Sequence, residues 1–493
     1  PLLAATAALT AGEVALSSDE ISIRLTALGF KDSKGAMEHI RAISSGLSRR
    51  AIIQRTLLPV LIRFMAEGTA PDRALITFRR LSETLGESHW FLKMLRDSSG
   101  AAERLMTTLS LSAFACRLLE HIPESSSWFA DKETLVPMSE EEVFAEMVAL
   151  VERGRGKESV VGALKQIRRR ETLRIAIAAV LGLVDQKTTG RSLTAVTDSY
   201  IAAMLEHCQI EAGTEVDICV IAMGRLGGRE LGFGSDADVM LVYQGDSEAL
   251  QKPAEIVTAS LIDKLRDPVL NFELDLDLRP EGKNGPRIKS FEAYSGYYKK
   301  WAETWEFQAL TRARPITGSQ QLRQSFLKLI DPYRYPKEVS SKQLLDIRRI
   351  KARVENERLP QGADPNRHLK LGRGSISDVE WLVQLLQLRL AALDAALQGG
   401  GTIETLWHLV KGGHIQRDDA AQLEKAWLLS SRIRGGIVLS QDKPSDILPV
   451  DRGQLESVAR ILGYQPGSAL ELEESYLSTT RKSRAVFEKL FLS

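Results

Sequence analysis

Residues 218–243, Ile218 to Tyr243, read I-C-V-I-A-M-G-R-L-G-G-R-E-L-G-F-G-S-D-A-D-V-M-L-V-Y. The stretch opens apolar, breaks at Gly224, Gly227, Gly228, Gly232 and Gly234, and resumes as a second apolar run begun by Asp236 and Asp238. That pattern predicts strand, phosphate-sized loop, strand. Alternate side chains of a strand share a face, so Asp236 and Asp238 point the same way, roughly 6 to 7 Å apart, while Val239, Leu241 and Tyr243 take the other face. Two carboxylates at the mouth of a glycine loop are hard-oxygen donors suited to Mg²⁺, which takes a few carboxylates together with substrate phosphate oxygens. The glycines let backbone N–H groups approach a triphosphate, and Arg225 and Arg229 place cationic donors on the same loop.

Working outward, a third acid is expected on a separate strand. In residues 271–285, N-F-E-L-D-L-D-L-R-P-E-G-K-N-G, Phe272, Leu274, Leu276 and Leu278 alternate with Glu273, Asp275, Asp277 and Arg279. A period of two gives one apolar face and one charged face, and three acids on one face repel unless exposed or neutralised by a cation. Alone this reads as a solvent-facing edge strand; beside Asp236 and Asp238 it reads as a source of a third ligand. Three carboxylates can hold two Mg²⁺ ions roughly 3.5 to 4 Å apart, an arrangement suited to in-line displacement at phosphorus and therefore to nucleotidyl transfer. The seven histidines are scattered and none falls in the glycine loop, so no Ser/His/Asp or Cys/His arrangement competes.

The flanks read as helical. Residues 57–65, 74–85 and 89–95 repeat apolar side chains every three or four positions, and helices continue from about 101 to 211 and again from about 330 to the end. The run Arg168-Arg169-Arg170-Glu171-Thr172-Leu173-Arg174 is a solvated helix end, or a source of one or two arginines for a nucleotide phosphate. A helix is expected over 247–265 and a longer one over 292–314. On the latter, Trp301, Trp305, Gln308 and Arg312 share a stripe that either packs or aims Arg312 and Arg314 at phosphate. Ser377 and Glu380 form a capping-box pattern ahead of an apolar helix. Gly372-Arg373-Gly374 suggests a backbone held against something.

Composition bounds the function. The chain has 493 residues, enough for two or three domains. Lys+Arg 65 against Asp+Glu 64 leaves a formal charge of +1. That near-neutral balance argues against a partner that is extended nucleic acid. The longest apolar run, near 175–184, is too short to cross a bilayer, and no signal peptide is expected from the opening residues. Cys116, Cys208 and Cys219 lie far apart and suggest no disulfide framework, so a cytoplasmic location is expected. The chain begins with Pro1 and is read as a piece of something longer.

Four stretches in order, M-G-R-L-G-G-R-E-L-G-F-G-S-D-A-D-V, L-D-L-D-L-R-P-E-G-K-N-G-P, W-E-F-Q-A-L-T-R-A-R-P and K-L-G-R-G-S-I-S-D-V-E-W, resemble the signature of the bifunctional glutamine synthetase adenylyltransferase/adenylyl-removing enzymes. The glycine spacing is similar to that of polymerase-β-like nucleotidyltransferases. The single copy resembles the C-terminal, adenylylating half of the actinobacterial type. The resemblance implies an α+β, mostly helical fold: a nucleotidyltransferase domain with a small mixed sheet over 101–330, between a helical linker or regulatory bundle over 1–100 and a C-terminal helical bundle over 331–493.

It further implies AMP transfer from ATP to a tyrosine hydroxyl of glutamine synthetase, with a PII-type signal protein and glutamine as regulators. Asp236, Asp238 and Asp275 would be catalytic metal ligands, and Asp275 could also take the tyrosine proton. Gly224, Arg225, Gly227, Gly228 and Ser235 would hold the nucleotide, with Arg312 reaching its phosphates. Where many members of the family have an arginine, this chain has Asp277, which keeps Glu273 and Asp277 as further candidate ligands. Two alternatives stand beside this reading: the adenylyl-removing half, and a non-catalytic scaffold of the same fold.

Overall fold

The two apolar runs pair as antiparallel strands β1 (Ile218–Ala222) and β2 (Ala237–Tyr243), in register from Ile218 opposite Tyr243 to Ala222 opposite Val239. The computed structural model describes residues 18–45, 49–86, 88–154, 156–245 and 248–492. Both strands are covered on both faces, which is why they read as continuous apolar runs instead of alternating ones. Val220, Ala222, Val239 and Leu241 enter a large core shared with the helices Gln186–Ala212 and Glu248–Leu265. Cys219, Ile221, Met240 and Val242 enter a smaller one with Tyr294, Tyr298 and Phe326. Asp238 has the parity of Met240 and Val242, as the alternation requires.

Three two-residue strands complete a mixed sheet. β3 (Leu274–Asp275) and β4 (Lys289–Ser290) run parallel to β2, and β5 (Arg314–Pro315) runs antiparallel to β1. The order is β3-β2-β1-β5, with β4 also on β2. The register that matters sets Asp238 beside Asp275.

Two expected elements are broken. The alternating segment 271–279 gives only the two residues of β3, because the Asp275 carboxylate accepts the backbone N–H of Asp277 (2.7 Å) and turns the chain. Phe272 and Leu276 are nevertheless buried as the alternation predicts. The helix expected over 292–314 is two helices, Phe291–Lys300 and Thr304–Leu310, followed by β5. A reciprocal cap between Glu303 and Glu306 restarts the helix, and Trp301, at the break, is 71% exposed, so no tryptophan stripe forms. The helix expected from 247 is seen as Glu248–Leu265, residue 247 itself lying outside the described residues.

Helices wrap this sheet and tie the ends of the chain together. Ser112 caps the helix Ala113–His121 and also donates from Oγ to the carbonyl of Leu439 (2.8 Å), on the long helix Arg417–Gln441. Phe114 meets Phe233 of the glycine loop edge to face, with ring centroids 5.9 Å apart. One apolar core therefore runs from Leu25 to Tyr476 through the sheet. The three cysteines are buried and free, and among the described residues no helix is long and apolar enough to cross a membrane.

The expectation of a backbone held close at 372–374 is met at two carbonyl contacts. A Cβ on Gly374, whose φ is +72°, would lie 1.9 Å from the carbonyl oxygen of Thr480 on the last helix, Ala469–Phe491; one on Gly372 would lie 2.1 Å from that of His368. Gly374→Ala is therefore expected to cost about 2–4 kcal/mol of unfolding free energy. The control Gly362→Ala has φ +81° but open space around it and should cost about 1 kcal/mol. Urea midpoints of the two variants check this; equal losses would show that the helix contact is not what fixes residue 374.

Candidate active site

The site is built where β1 ends. After Ala222 the N–H of Met223 donates to the carbonyl of Asp238 (2.8 Å), and the chain turns through Gly224 at φ +51° into one helical turn, Gly224–Gly227. A Cβ on Gly224 would lie 2.3 Å from Asp238 Oδ2. The carboxylate thus rests on the bare backbone of the turn. Parallel pairing puts Asp275 on the neighbouring strand, and strand spacing holds the two backbones about 4.8 Å apart. Asp236 sits just before β2 and is exposed, while Asp238 and Asp275 are half-buried.

These acids feel one another. The Asp238 carboxyl is pushed up to about 6, first by burial and then by the charge of Asp275, with Asp236 and Glu380 adding to the push and Lys370 opposing it. Among the described residues no three His, Cys, Asp or Glu side chains are already gathered closely enough to hold an ion. The donor set still fits Mg²⁺: it is all carboxylate oxygen, and mutual repulsion is what a divalent cation relieves. Of the two further acids, Asp277 lines the same cleft and pairs with Lys283 at 3.2 Å, whereas Glu273 is exposed and outside it.

The cleft in front of the acids has a volume of about 640 Å³. Gly224, Arg225, Ser235 and Arg312 line it with the three acids. Ser235 Oγ accepts the N–H of Gly232 (3.2 Å) and closes the turn. Arg225 folds back to donate to the carbonyl of Glu230 (2.8 Å). Arg312 donates to the carbonyl of Gly400 (2.7 Å) and to Thr402 Oγ1 (2.8 Å), so its guanidinium anchors the 400–402 turn.

Gly227 and Gly228 are elsewhere. They line a separate cavity of about 700 Å³ behind the loop, with Arg229 and Arg314. A Cβ on Gly227 would stand 1.9 Å from the carbonyl oxygen of Arg312, so this glycine seats the approach to β5. Arg314 pairs with Asp198 (2.8 Å). The arginines of 168–174 do not line the acid cleft: Arg169 binds Asp267, Arg170 binds Glu146, and Arg174 binds Glu171.

The cations that face the acids come from a part of the chain that the residue patterns did not connect to them. Lys370 and Arg358 line the cleft, are exposed, and make no ion pair among the described residues. Arg434 also lines it, holding Asp446 at 2.6 Å. Lys370 is fixed by its backbone: its carbonyl accepts the N–H of Ser377 (2.9 Å), and the N–H of Leu369 donates to the carbonyl of Asp446 (2.6 Å). The expected Ser377–Glu380 capping box does not form. The helix Ile376–Leu390 starts after Ser375, Ser377 lies inside it, and Asp378 takes the N–H of Gly374 (2.6 Å). Glu380, freed from capping, accepts from Trp427 Nε1 (3.3 Å) and lines the cleft. The available signal was the lysine and glutamate of K-L-G-R-G-S-I-S-D-V-E-W, flanking glycines that local structure left unexplained.

A family model described as glutamate-ammonia ligase adenylyltransferase matches residues 102–329, and one described as GlnD PII-uridylyltransferase matches residues 348–491. The chain is 46% identical to a bifunctional glutamine synthetase adenylyltransferase/adenylyl-removing enzyme of Leifsonia xyli subsp. xyli, over 100% of this chain and 50% of that relative. Proteins of the same description from Cutibacterium acnes and Mycobacterium tuberculosis are 39% and 40% identical, over 100% and 95% of this chain and 50% and 49% of theirs. The chain spans about half the length of the curated relatives it matches.

Asp238→Asn removes the charge that its neighbours oppose most. In metal-free buffer at pH 7 the variant is expected to be more stable than the parent by about 1–2 kcal/mol. It should also lose most of any rise in melting temperature that Mg²⁺ gives the parent chain. Melting curves with EDTA and with Mg²⁺ check both halves; a variant less stable in EDTA would mean that the acids do not repel as described.

Proposed function

Because the chain belongs to the family of bifunctional glutamine synthetase adenylyltransferase/adenylyl-removing enzymes, we propose that it is the half that transfers AMP from ATP to a tyrosine hydroxyl of glutamine synthetase, releasing pyrophosphate and lowering the synthetase's activity. The observation that carries this reading is the side-by-side placement of Asp238 and Asp275 on β2 and β3, over the Gly224 turn and facing Lys370. A binding scaffold gains nothing from keeping mutually repelling carboxylates together. A nucleotidyltransferase does.

In the proposed reaction the phenolic oxygen attacks the α-phosphorus, the bond to the β-phosphate oxygen breaks, and pyrophosphate leaves. Asp236, Asp238 and Asp275 would hold Mg²⁺, which when bound neutralises phosphate oxygens as charge shifts onto the leaving group. Asp275 has one oxygen committed to the Asp277 N–H, which leaves the other for the proton of the tyrosine hydroxyl. Gly224 gives the Asp238 carboxylate room on the turn and lines the cleft that would take the triphosphate, and Lys370 supplies charge to it from the opposite wall. The segment 101–330 is read as the catalytic domain, 331–493 as a helical bundle that closes the cleft, and 1–100 as a linker or regulatory bundle. A PII-type signal protein and glutamine are read as regulators; the match of 348–491 to the PII-uridylyltransferase description supports the first of these. The location is read as cytoplasmic.

Incubation with ATP, Mg²⁺ and unmodified glutamine synthetase is expected to add one AMP per synthetase subunit, seen by intact mass spectrometry. Asp236→Asn should lower the rate by about 10²–10³ while leaving synthetase binding intact, and Lys370→Ala should lower kcat/KM for ATP by about 10- to 100-fold. Were the chain instead the adenylyl-removing half, it would leave unmodified synthetase unchanged and release ADP from adenylylated synthetase in the presence of phosphate.

A further inference from the structure

Of the four arginines in 168–174, Arg168 alone is left over. It sits in the middle of the helix Ser159–Val180, is 8% exposed, and its Nε and Nη1 are sealed from solvent with no hydrogen-bond partner. Its guanidinium lies 3.7 Å from the Phe272 ring centroid and 5.3 Å from that of Tyr200. Stacking of this kind covers the face of the cation but gives its in-plane N–H groups nothing to donate to. The nearest acid is already used. Asp267 accepts from Arg169 Nε (2.9 Å) and Nη2 (2.6 Å) and from the N–H of Val269 (3.0 Å). Two arginines beside one buried carboxylate leave a net positive charge. A buried donor without an acceptor costs about 1–3 kcal/mol, and a charged one more.

Arg168 lines a cavity of about 140 Å³, separate from the acid cleft and far smaller. Thr172 and Asn271 share its wall, and so do Ser235 and Asp236, from the rear of the loop that the cleft sees from the front. Arg117 also borders it, but that guanidinium is engaged by Asp442 and by the carbonyl of Val269. The space excludes a nucleotide and admits a molecule of a few heavy atoms.

We propose that this cavity binds a small anion, a carboxylate or a tetrahedral oxyanion, whose oxygens accept from Nη2 of Arg168, the guanidinium nitrogen that is not sealed off, and whose charge offsets the buried cation while Phe272 covers the guanidinium face. The site would be regulatory by position. Its walls are the backbone just before Asp236 and the residues that lead into β3 and Asp275, so occupancy stiffens the two segments that carry the acids.

The test compares the parent chain with Arg168→Met, Thr172→Leu and Lys370→Gln, using sodium sulfate and sodium acetate as separate probes at constant ionic strength. The parent's melting temperature should rise saturably, by about 1–2 °C at ten times Kd. Sulfate alone acting identifies an oxyanion site, acetate alone a carboxylate site. Arg168→Met should start higher in anion-free buffer, since it removes a buried unpaired cation, and should not respond. Thr172→Leu, which fills the cavity and keeps the arginine, should also not respond. Lys370→Gln, altered in the cleft only, should respond like the parent. Amide exchange at 234–236 and 270–275 should slow with the anion in the parent and not in Arg168→Met. A parent that shows no saturable response, an equal response in Arg168→Met and Thr172→Leu, or a response lost only in Lys370→Gln would overturn the site. None of these readouts depends on AMP transfer, so the proposal stands or falls apart from the proposed reaction.

Discussion

The rest of the structure answers to one constraint: a carboxylate, Asp238, laid against the backbone of Gly224 and beside a second carboxylate on the next strand. Neither contact is favourable by itself. Burial and the charge of Asp275 both press the Asp238 carboxyl towards its neutral form. What holds the pair is the sheet, whose register is set by apolar side chains on both faces of β1 and β2. A one-residue slip would send every one of those side chains to the wrong face, so the cores enforce the placement of the acids. Hydrophobic burial thereby offsets electrostatic strain stored at the site.

The same logic explains where the arginines go. The segment from Arg225 to Arg314 is rich in guanidinium groups, yet Arg225, Arg312 and Arg314 spend theirs on carbonyls, hydroxyls and Asp198. A planar fork with five donors is well suited to binding several loop carbonyls at once, and a glycine-rich loop exposes many of them. These arginines therefore set the shape of the cleft. Lys370 and Arg358, which face the acids, come from beyond residue 330 and are not engaged in ion pairs among the described residues. The strands supply acids, and turns between the following helices answer with cations.

The sequence made some of this legible and hid the rest for physical reasons. Two apolar runs around a glycine loop were enough to place β1 and β2, and the parity of Asp238 followed from alternation alone. That one acid of 273–277 joins them was also readable, because a charged face on a strand needs a partner; that it is Asp275 was implied by the family resemblance. What the pattern could not show was length. One hydrogen bond from Asp275 to Asp277 ended the strand, and one capping pair at Glu303 and Glu306 split a helix. Such bonds are local and cheap, so they leave no periodic trace. Gly227 and Gly228 line a cavity other than that of the acids, and the pattern does not show this, for a different reason. A glycine records that something comes close without recording what, and here the neighbours are the carbonyl and guanidinium of Arg312.

The glycines at 372 and 374 show how far the constraint reaches. Gly374 lies against the carbonyl of Thr480, and its N–H is held by Asp378, which is buried between Lys351 (2.5 Å) and Arg484 (2.9 Å). A fully buried acid with two cations is costly to separate, so the turn that follows Lys370, the start of the helix that carries Glu380, and the last helix form one rigid unit. The sheet with its acids meets this unit through the apolar core that also takes in Leu472 and Tyr476 of the last helix, while Arg312 and Arg225 hold the 400–402 turn and Trp427 beside it. A displacement of the last helix relative to the sheet is therefore also a displacement of Lys370 and Glu380 relative to Asp238. The core that fixes the acids on the sheet thus also fixes Lys370, the cation that opposes the strain on Asp238.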